Sequence, residues 1–206
     1  MGISSGSIDL YAAPVAAQEQ PPEPVAILKV DSGEVKVSDG GDFLAGTNYT
    51  VAAAVARTST KSSNYFLGGS STRSNRGLNL GWSANTTYTH AQGSSAYNMT
   101  VPGFSSAAAQ VLVSRHSTSA GKATWIQGTQ AGTSTSTSSL TSWAGAAVGQ
   151  ASAGSFAGNV GEIVVTTSAL ADADRQRLEG YLAHKWGTTA SLPADHPYKA
   201  AAPQKS

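Results

Sequence analysis

The stretch LEGYLAHKWG, Leu178 to Gly187, gathers Tyr181, His184, Lys185 and Trp186 within about a turn and a half of any helix it forms. A phenol, an imidazole, an ammonium and an indole this close together suit three uses. They could stack on a sugar, act as a catalytic cluster, or close a hydrophobic core. The chain has four histidines in all, His90, His116, His184 and His196, and many serines. A hydrolytic triad needs a nucleophile beside a histidine and an acid, and no G-x-S-x-G elbow occurs. Glycoside hydrolysis needs two carboxylates about 5 to 9.5 Å apart across a cleft. In a strand these would read E-x-D on one face, whereas Glu162 stands alone in GNVGEIVV. Asp172 and Asp174 fall at the start of a predicted helix. No catalytic residue is expected, and the chain reads as a non-enzyme. Glu162 is expected to bond a neighbouring strand or loop.

Aromatic residues offer a different chemistry. Trp82, Tyr88, Tyr97, Trp125 and Trp143 would stack on a pyranose if exposed, and Arg73, Asn75 and Arg76 in the polar loop SSTRSNRG would bond its hydroxyls. Arg73, Asn75, Arg76, Trp82 and Tyr97 form the candidate glycan-binding rim. It is set against a plainer reading, in which these aromatics pack in a β-sandwich core. The segments that would carry a rim are 68–76, 92–106 and 128–142.

These residues need elements to position them. Apolar runs such as VAILKV, YTVAAAVAR, NYFLGG, RGLNLGW, TTYTH, QVLVSRH and ATWIQG are each bounded by Gly, Ser or Asn, which predicts many short strands. In YTVAAAVAR the alternation puts Tyr49, Val51, Ala53 and Val55 on one face. Thr50, Ala52, Ala54 and Ala56 lie on the other and are small enough to be buried too. WIQGTQ reads as a hairpin with Gln127-Gly128 at its tip. The hydroxyl-rich GTSTSTSSLTSW is an edge strand or a loop. One helix is expected at about 171–186, with Asp172 and Asp174 in its first turn, Lys185 in its last and Gly187 after it. Its stripe of Leu178, Tyr181, Leu182 and Trp186 would bury against the sandwich as a structural clasp. Trp186→Ala would then cost about 3 to 5 kcal/mol if the ring is fully buried. His184 lies off the stripe and is expected to be exposed or bonded to a carbonyl.

The order hairpin, WAGAAVGQ, FAGNVGEIVVTTSAL, helix and LPADHPY resembles the laminin-G-like or concanavalin A-like jelly roll. The match is closest to the form found in bacterial and phage structural proteins. That resemblance implies an all-β, two-sheet antiparallel β-sandwich over residues 25–198 with a C-terminal helix. It also implies rim Ca²⁺ as an option. The candidate ligands are Asp39 and Asp42 in SDGGDF, for which a plain turn is the preferred reading and no cofactor is expected. The chain departs from the family at Ala171, where a Ser or Thr commonly caps the helix. A weaker cap, or one supplied by Ser168, is expected instead.

The remaining features bound the biology. The chain has 206 residues, no cysteine, a formal net charge of +1, and only 12% charged residues, against roughly 25% in ordinary domains. Nucleic-acid binding is therefore not expected. Membrane insertion is not expected either, because no apolar run is long enough. The N-terminus lacks the basic and apolar regions of a signal peptide. Residues 1–24, with Ile8, Leu10, Tyr11, Pro21, Pro22 and Pro24, read as an extended attachment arm, and 199–206 as a short tail. These features give a first expectation of a virion structural protein, made in the host cytoplasm. It would attach by the arm to other capsid or tail proteins and self-associate. The other expectation is a carbohydrate-binding module or adhesin domain.

Overall fold

The computed structural model describes residues 26–28, 35–36, 44–69, 77–92, 98–102, 108–143, 146–151 and 154–204. Among these, fourteen strands and one α-helix follow in chain order. The strands are β1 (Ala26–Leu28), β2 (Val35–Lys36), β3 (Tyr49–Arg57), β4 (Asn64–Gly68), β5 (Leu78–Ala84), β6 (Thr87–Gln92), β7 (Met99–Pro102), β8 (Gln110–Ser117) and β9 (Gly121–Ile126). They continue as β10 (Thr129–Ser134), β11 (Ala147–Val148), β12 (Gln150–Ala151), β13 (Gly154–Ser155) and β14 (Gly158–Thr166), before α1 (Asp172–Lys185). Two six-stranded antiparallel sheets result. Sheet A runs β1-β14-β3-β8-β9-β10 and sheet B runs β2-β11-β4-β5-β6-β7. The all-β sandwich with one C-terminal helix is the fold expected from the residues. The arm, and the acidic pair Asp39 and Asp42, lie outside the described residues.

The alternation of β3 sets its two faces. Tyr49, Val51, Ala53 and Val55 enter the layer between the sheets with Leu80, Trp82, Leu112 and Ile163. Ala52 and Ala54 face outward and are buried as well, beneath Leu182, Ala183 and Leu192. Small side chains on that face let the helix approach the sheet closely. Between β9 and β10, Ile126 pairs with Thr129. The two linking residues, Gln127 and Gly128, both have positive φ, 53° and 77°, as a type I′ hairpin requires. The hydroxyl-rich stretch divides: Thr129–Ser134 is the edge strand of sheet A, and irregular chain follows it.

The helix ends as its residues dictate. Gly187 takes φ 69°, and the Thr188 N–H donates to the Ala183 carbonyl at 2.8 Å, closing a Schellman turn. At the other end Ala171 has the extended backbone of an N-cap (φ −60°, ψ 158°) but makes no side-chain cap bond. Ser168 does not supply one either, since its hydroxyl has no partner and its carbonyl accepts from Thr50 and Thr166. The backbone is already shaped for a capping hydroxyl. Ala171→Ser is therefore expected to raise stability by about 1 kcal/mol, read as a higher urea midpoint at unchanged m-value.

Candidate binding site

The residues of LEGYLAHKWG form a structural junction with sheet A. Leu182 is completely buried and Leu178 packs partly buried beside it. Tyr181 does not bury as a clasp residue should. It is 36% exposed, and its hydroxyl donates to Glu162 Oε1 at 3.0 Å. Trp186 is half-buried. Its indole N–H donates to Glu162 Oε2 at 3.3 Å, and its ring lies so close to Gly161 that a Cβ there would sit 2.8 Å from it. The full cost of burial expected for Trp186 is reduced accordingly. Lys185 Nζ reaches Glu162 Oε2 at 2.8 Å and the Tyr181 hydroxyl at 2.7 Å. Glu162, a lone carboxylate in the sequence, is thus the buried anchor on which three helix side chains converge. The ion pair and the bond to Tyr181 hold the Lys185 ammonium above its ordinary pKa, outweighing the opposite effect of burial. His184 lies off the buried stripe and bonds the Tyr198 carbonyl at 2.9 Å.

The next turn of the helix carries a second ion-pair group. Arg175 Nη1 contacts both oxygens of Glu179 at 2.7 Å, and His196 Nε2 lies 3.2 Å from Glu179 Oε2. Burial raises the Glu179 carboxyl above its ordinary pKa, against the opposing pull of Arg175 and His196. The guanidiniums of Arg115 and Arg175 lie over the Trp125 ring, 4.7 and 4.3 Å from its centre. Asp172 bridges them at 3.1 and 3.4 Å. Glu162 and Asp172 are therefore committed to ion pairs that bind the helix to sheet A, and Glu179 to pairs within the helix and with the segment after it.

The aromatic candidates fall inside the protein. Trp82 is 1% exposed, Tyr88 0%, Trp125 4% and Trp143 1%. Trp82, placed on the rim from sequence, is a core residue. Its pairing with Tyr88 across β5 and β6 turns both rings inward, where Phe156 stacks on Trp82 with ring centres 6.4 Å apart. Arg73, Asn75, Arg76 and Tyr97 lie outside the described residues. The strand ends flanking them are defined, however. Leu78 pairs with Gln92, so the segment entering β5 and the segment leaving β6 depart side by side from one end of sheet B.

The two outer faces of the sandwich differ. That of sheet A is packed under α1. That of sheet B presents Tyr65, Asn79, Ser83, Thr87, Thr89 and Thr100, set by the rows Tyr65–Gly81–Thr89–Thr100 and Asn79–Ala91. Tyr65, Asn79 and Thr89 are buried, Ser83 and Thr87 half-buried, and Thr100 exposed. The residues of this face that reach solvent, Ser83, Thr87 and Thr100, carry uncharged hydroxyls. Strand β10 meets β7 where Gly132 abuts Val101; its exposed Gln130 and Thr133 pair with Trp125 and Ala123 and so belong to the outer face of sheet A.

One group of buried polar side chains was missed from the sequence. At the same end of the sandwich the inter-sheet layer turns polar, holding Tyr49, His90, Gln92 and His116 at 0% exposure and Lys122 at 2%. Gln92 Nε2 donates to the Tyr49 hydroxyl oxygen at 2.9 Å, and that hydroxyl lies 2.8 Å from His90 Nε2. The detectable signal was alternation: the inward positions of β8 run Leu112, Ser114, His116, and those of β9 run Ile126, Thr124, Lys122.

No family model matches the chain, and no curated protein matches it. Solved structures do resemble it. The NanB sialidase from Streptococcus pneumoniae is 15% identical, with a TM-score of 0.55 over 75% of this chain and 27% of that one. Domain 4 of AbnA, an extracellular arabinanase from Geobacillus stearothermophilus, was solved with arabinotriose; it is 17% identical, with a TM-score of 0.54 over 73% of this chain and 78% of that one. The Ruminococcus gnavus IT-sialidase CBM40, bound to α2,3 sialyllactose, is 12% identical, with a TM-score of 0.53 over 63% of this chain and 80% of that one. The chain thus spans 27% of the length of the sialidase and most of the length of the two single domains. At these identities the likeness is one of fold, a two-sheet β-sandwich.

Proposed function

We propose that the chain is a non-catalytic carbohydrate-binding domain. The observation that carries this reading is the division of the sandwich into a face packed under α1 and a face whose solvent-reaching positions, Ser83, Thr87 and Thr100, carry uncharged hydroxyls. Such a surface matches a polyhydroxyl ligand, whose recognition rests on many neutral hydrogen bonds. The sandwiches similar to it include one solved with arabinotriose and one with α2,3 sialyllactose, which favours this reading over that of a virion protein. The virion reading rests on composition and on residues 1–24, which lie outside the described residues, and draws no support from the comparisons. A binding role without hydrolysis fits the carboxylates Glu162, Glu179 and Asp172, which are committed to ion pairs on the helix side. Arg73, Asn75, Arg76 and Tyr97 would supply the anchoring contacts.

A glycan array followed by titration calorimetry tests the proposal. A defined set of glycans should bind, and Arg76→Ala and Tyr97→Ala should each weaken them about tenfold or more, as loss of about 1.4 kcal/mol implies, at unchanged melting temperature. Binding to no glycan, or release of free sugar from a reporter glycoside, would overturn it.

A further inference from the structure

We propose that the inter-sheet layer of Tyr49, His90, Gln92, His116 and Lys122 is an acid-operated latch. It holds one end of the sandwich closed at neutral pH and opens it when His90 and His116 take up protons. The inference is independent of what the domain binds.

The geometry assigns the protons. Gln92 donates to the Tyr49 oxygen, so the Tyr49 O–H is directed to His90 Nε2, which accepts as the lone-pair nitrogen of a neutral ring. His90 Nδ1 then carries the hydrogen, and it has no partner. Neither ring nitrogen of His116 has a partner, nor does Gln92 Oε1. Two bonds tie β6 of sheet B to Tyr49 of sheet A, one from Gln92 and one to the neutral imidazole of His90. Protonating His90 at Nε2 removes the acceptor of the second. His116 faces the same phenol, with ring centres 5.2 Å apart, and is the direct cross-strand partner of Lys122.

Polar groups facing this pair of histidines come from four strands, while β5 and β7 set the apolar Leu80 and Met99 opposite His90. The polar groups are Tyr49 from β3, Tyr88 and Gln92 from β6, Ser114 from β8, and Lys122 and Thr124 from β9. No carboxylate is among them. The described carboxylates, Glu162, Asp172, Asp174, Glu179 and Asp195, belong to β14 where it meets the helix, to α1, or to the segment after it. A proton added here therefore enters a low-dielectric surround beside Lys122. Burial and then Lys122 push His90 well below the ordinary imidazole range. The same two causes lower His116 to about 4, and burial lowers Lys122 to about 8. Because the folded values lie below the unfolded one, the stabilisation is intact above about pH 6.5 and is lost as pH falls toward about 4.

Opening would begin where Leu78 pairs with Gln92 and Tyr49 with His116. From this end depart the two segments that carry Arg73, Asn75, Arg76 and Tyr97, and the β8–β9 turn lies there as well. The helix side is held by its own ion pairs and need not open.

Hydrogen exchange between pH 7.5 and 4 tests the latch. Relative to the intrinsic exchange rate at each pH, peptides covering β6, β8 and β9 should lose protection about tenfold or more below a midpoint between about pH 6.5 and 4. The change should reverse on neutralisation, with α1 still protected. In H90Q/H116Q, which keeps polar groups that do not titrate, the midpoint should fall by about one pH unit or more. If the double variant does not fold, imidazole titration by NMR in the unaltered protein replaces it, and both histidines should titrate below the ordinary range. The idea fails if α1 and β14 lose protection at the same pH as β6. It also fails if the double variant opens at the original midpoint, or if both histidines titrate near 6.5.

Discussion

Glu179→Ala is expected to destabilise the fold by about 3 to 5 kcal/mol, the range for removing one partner of a buried ion pair. Glu179 is completely buried and receives both contacts from Arg175 Nη1. Truncation would strand a guanidinium that is itself 5% exposed. The surviving contact to Asp172, at 3.4 Å on a carboxylate side chain 70% exposed, is too solvated to replace it. His196 would lose its partner at the same time, loosening the return of the chain after the helix. The measurement is chemical denaturation at neutral pH. Arg175→Met/Glu179→Leu, which replaces the pair by apolar residues of similar size, should recover most of the loss. A double variant as unstable as Glu179→Ala would mean that packing rather than stranded charge sets the cost.

The second large effect is Trp82→Ala, expected to cost about 3 to 5 kcal/mol. Trp82 is 1% exposed and touches rings on several sides: Phe156 stacked at 6.4 Å, Phe66 edge-on at 6.3 Å and Tyr88 edge-on at 5.6 Å. The Arg57 guanidinium lies 4.4 Å from its ring centre. Removing the indole empties the junction between the sheets. The loss should appear as a lower melting temperature and weaker near-ultraviolet dichroism. If Trp82 were instead a sugar platform, glycan binding would fall at unchanged stability.

The places where sequence reasoning stopped short have a common cause. Alternation in YTVAAAVAR revealed both buried faces of β3, because a strand's period of two assigns sides without knowledge of its partners. The same period, applied to QVLVSRHS and GKATWI, carries His116 and Lys122 inward. Their polarity argued for the surface until the register with Tyr49 and Gln92 was known. Trp82 and Trp125 looked alike in sequence as aromatics able to stack on a sugar. One lies between the sheets and the other under the helix, and only sheet pairing separates them. Glu162 was expected to bond a neighbouring strand or loop; its contacts are instead with Tyr181, Lys185 and Trp186, 19 to 24 residues further along the chain.

By itself the sequence determined what depends on local rules. These are the short antiparallel strands, the hairpin at Gln127-Gly128, the single helix ending at Gly187, and the small residues that let the helix sit on sheet A. Backbone sterics and side-chain periodicity act over a few residues and need no partner. The tertiary structure decided which polar groups are buried and with whom: Glu162 under the helix, Glu179 between Arg175 and His196, and the histidines between the sheets. Burial and charge pairing are properties of residues distant in the chain, and they exist only once the two sheets close on each other.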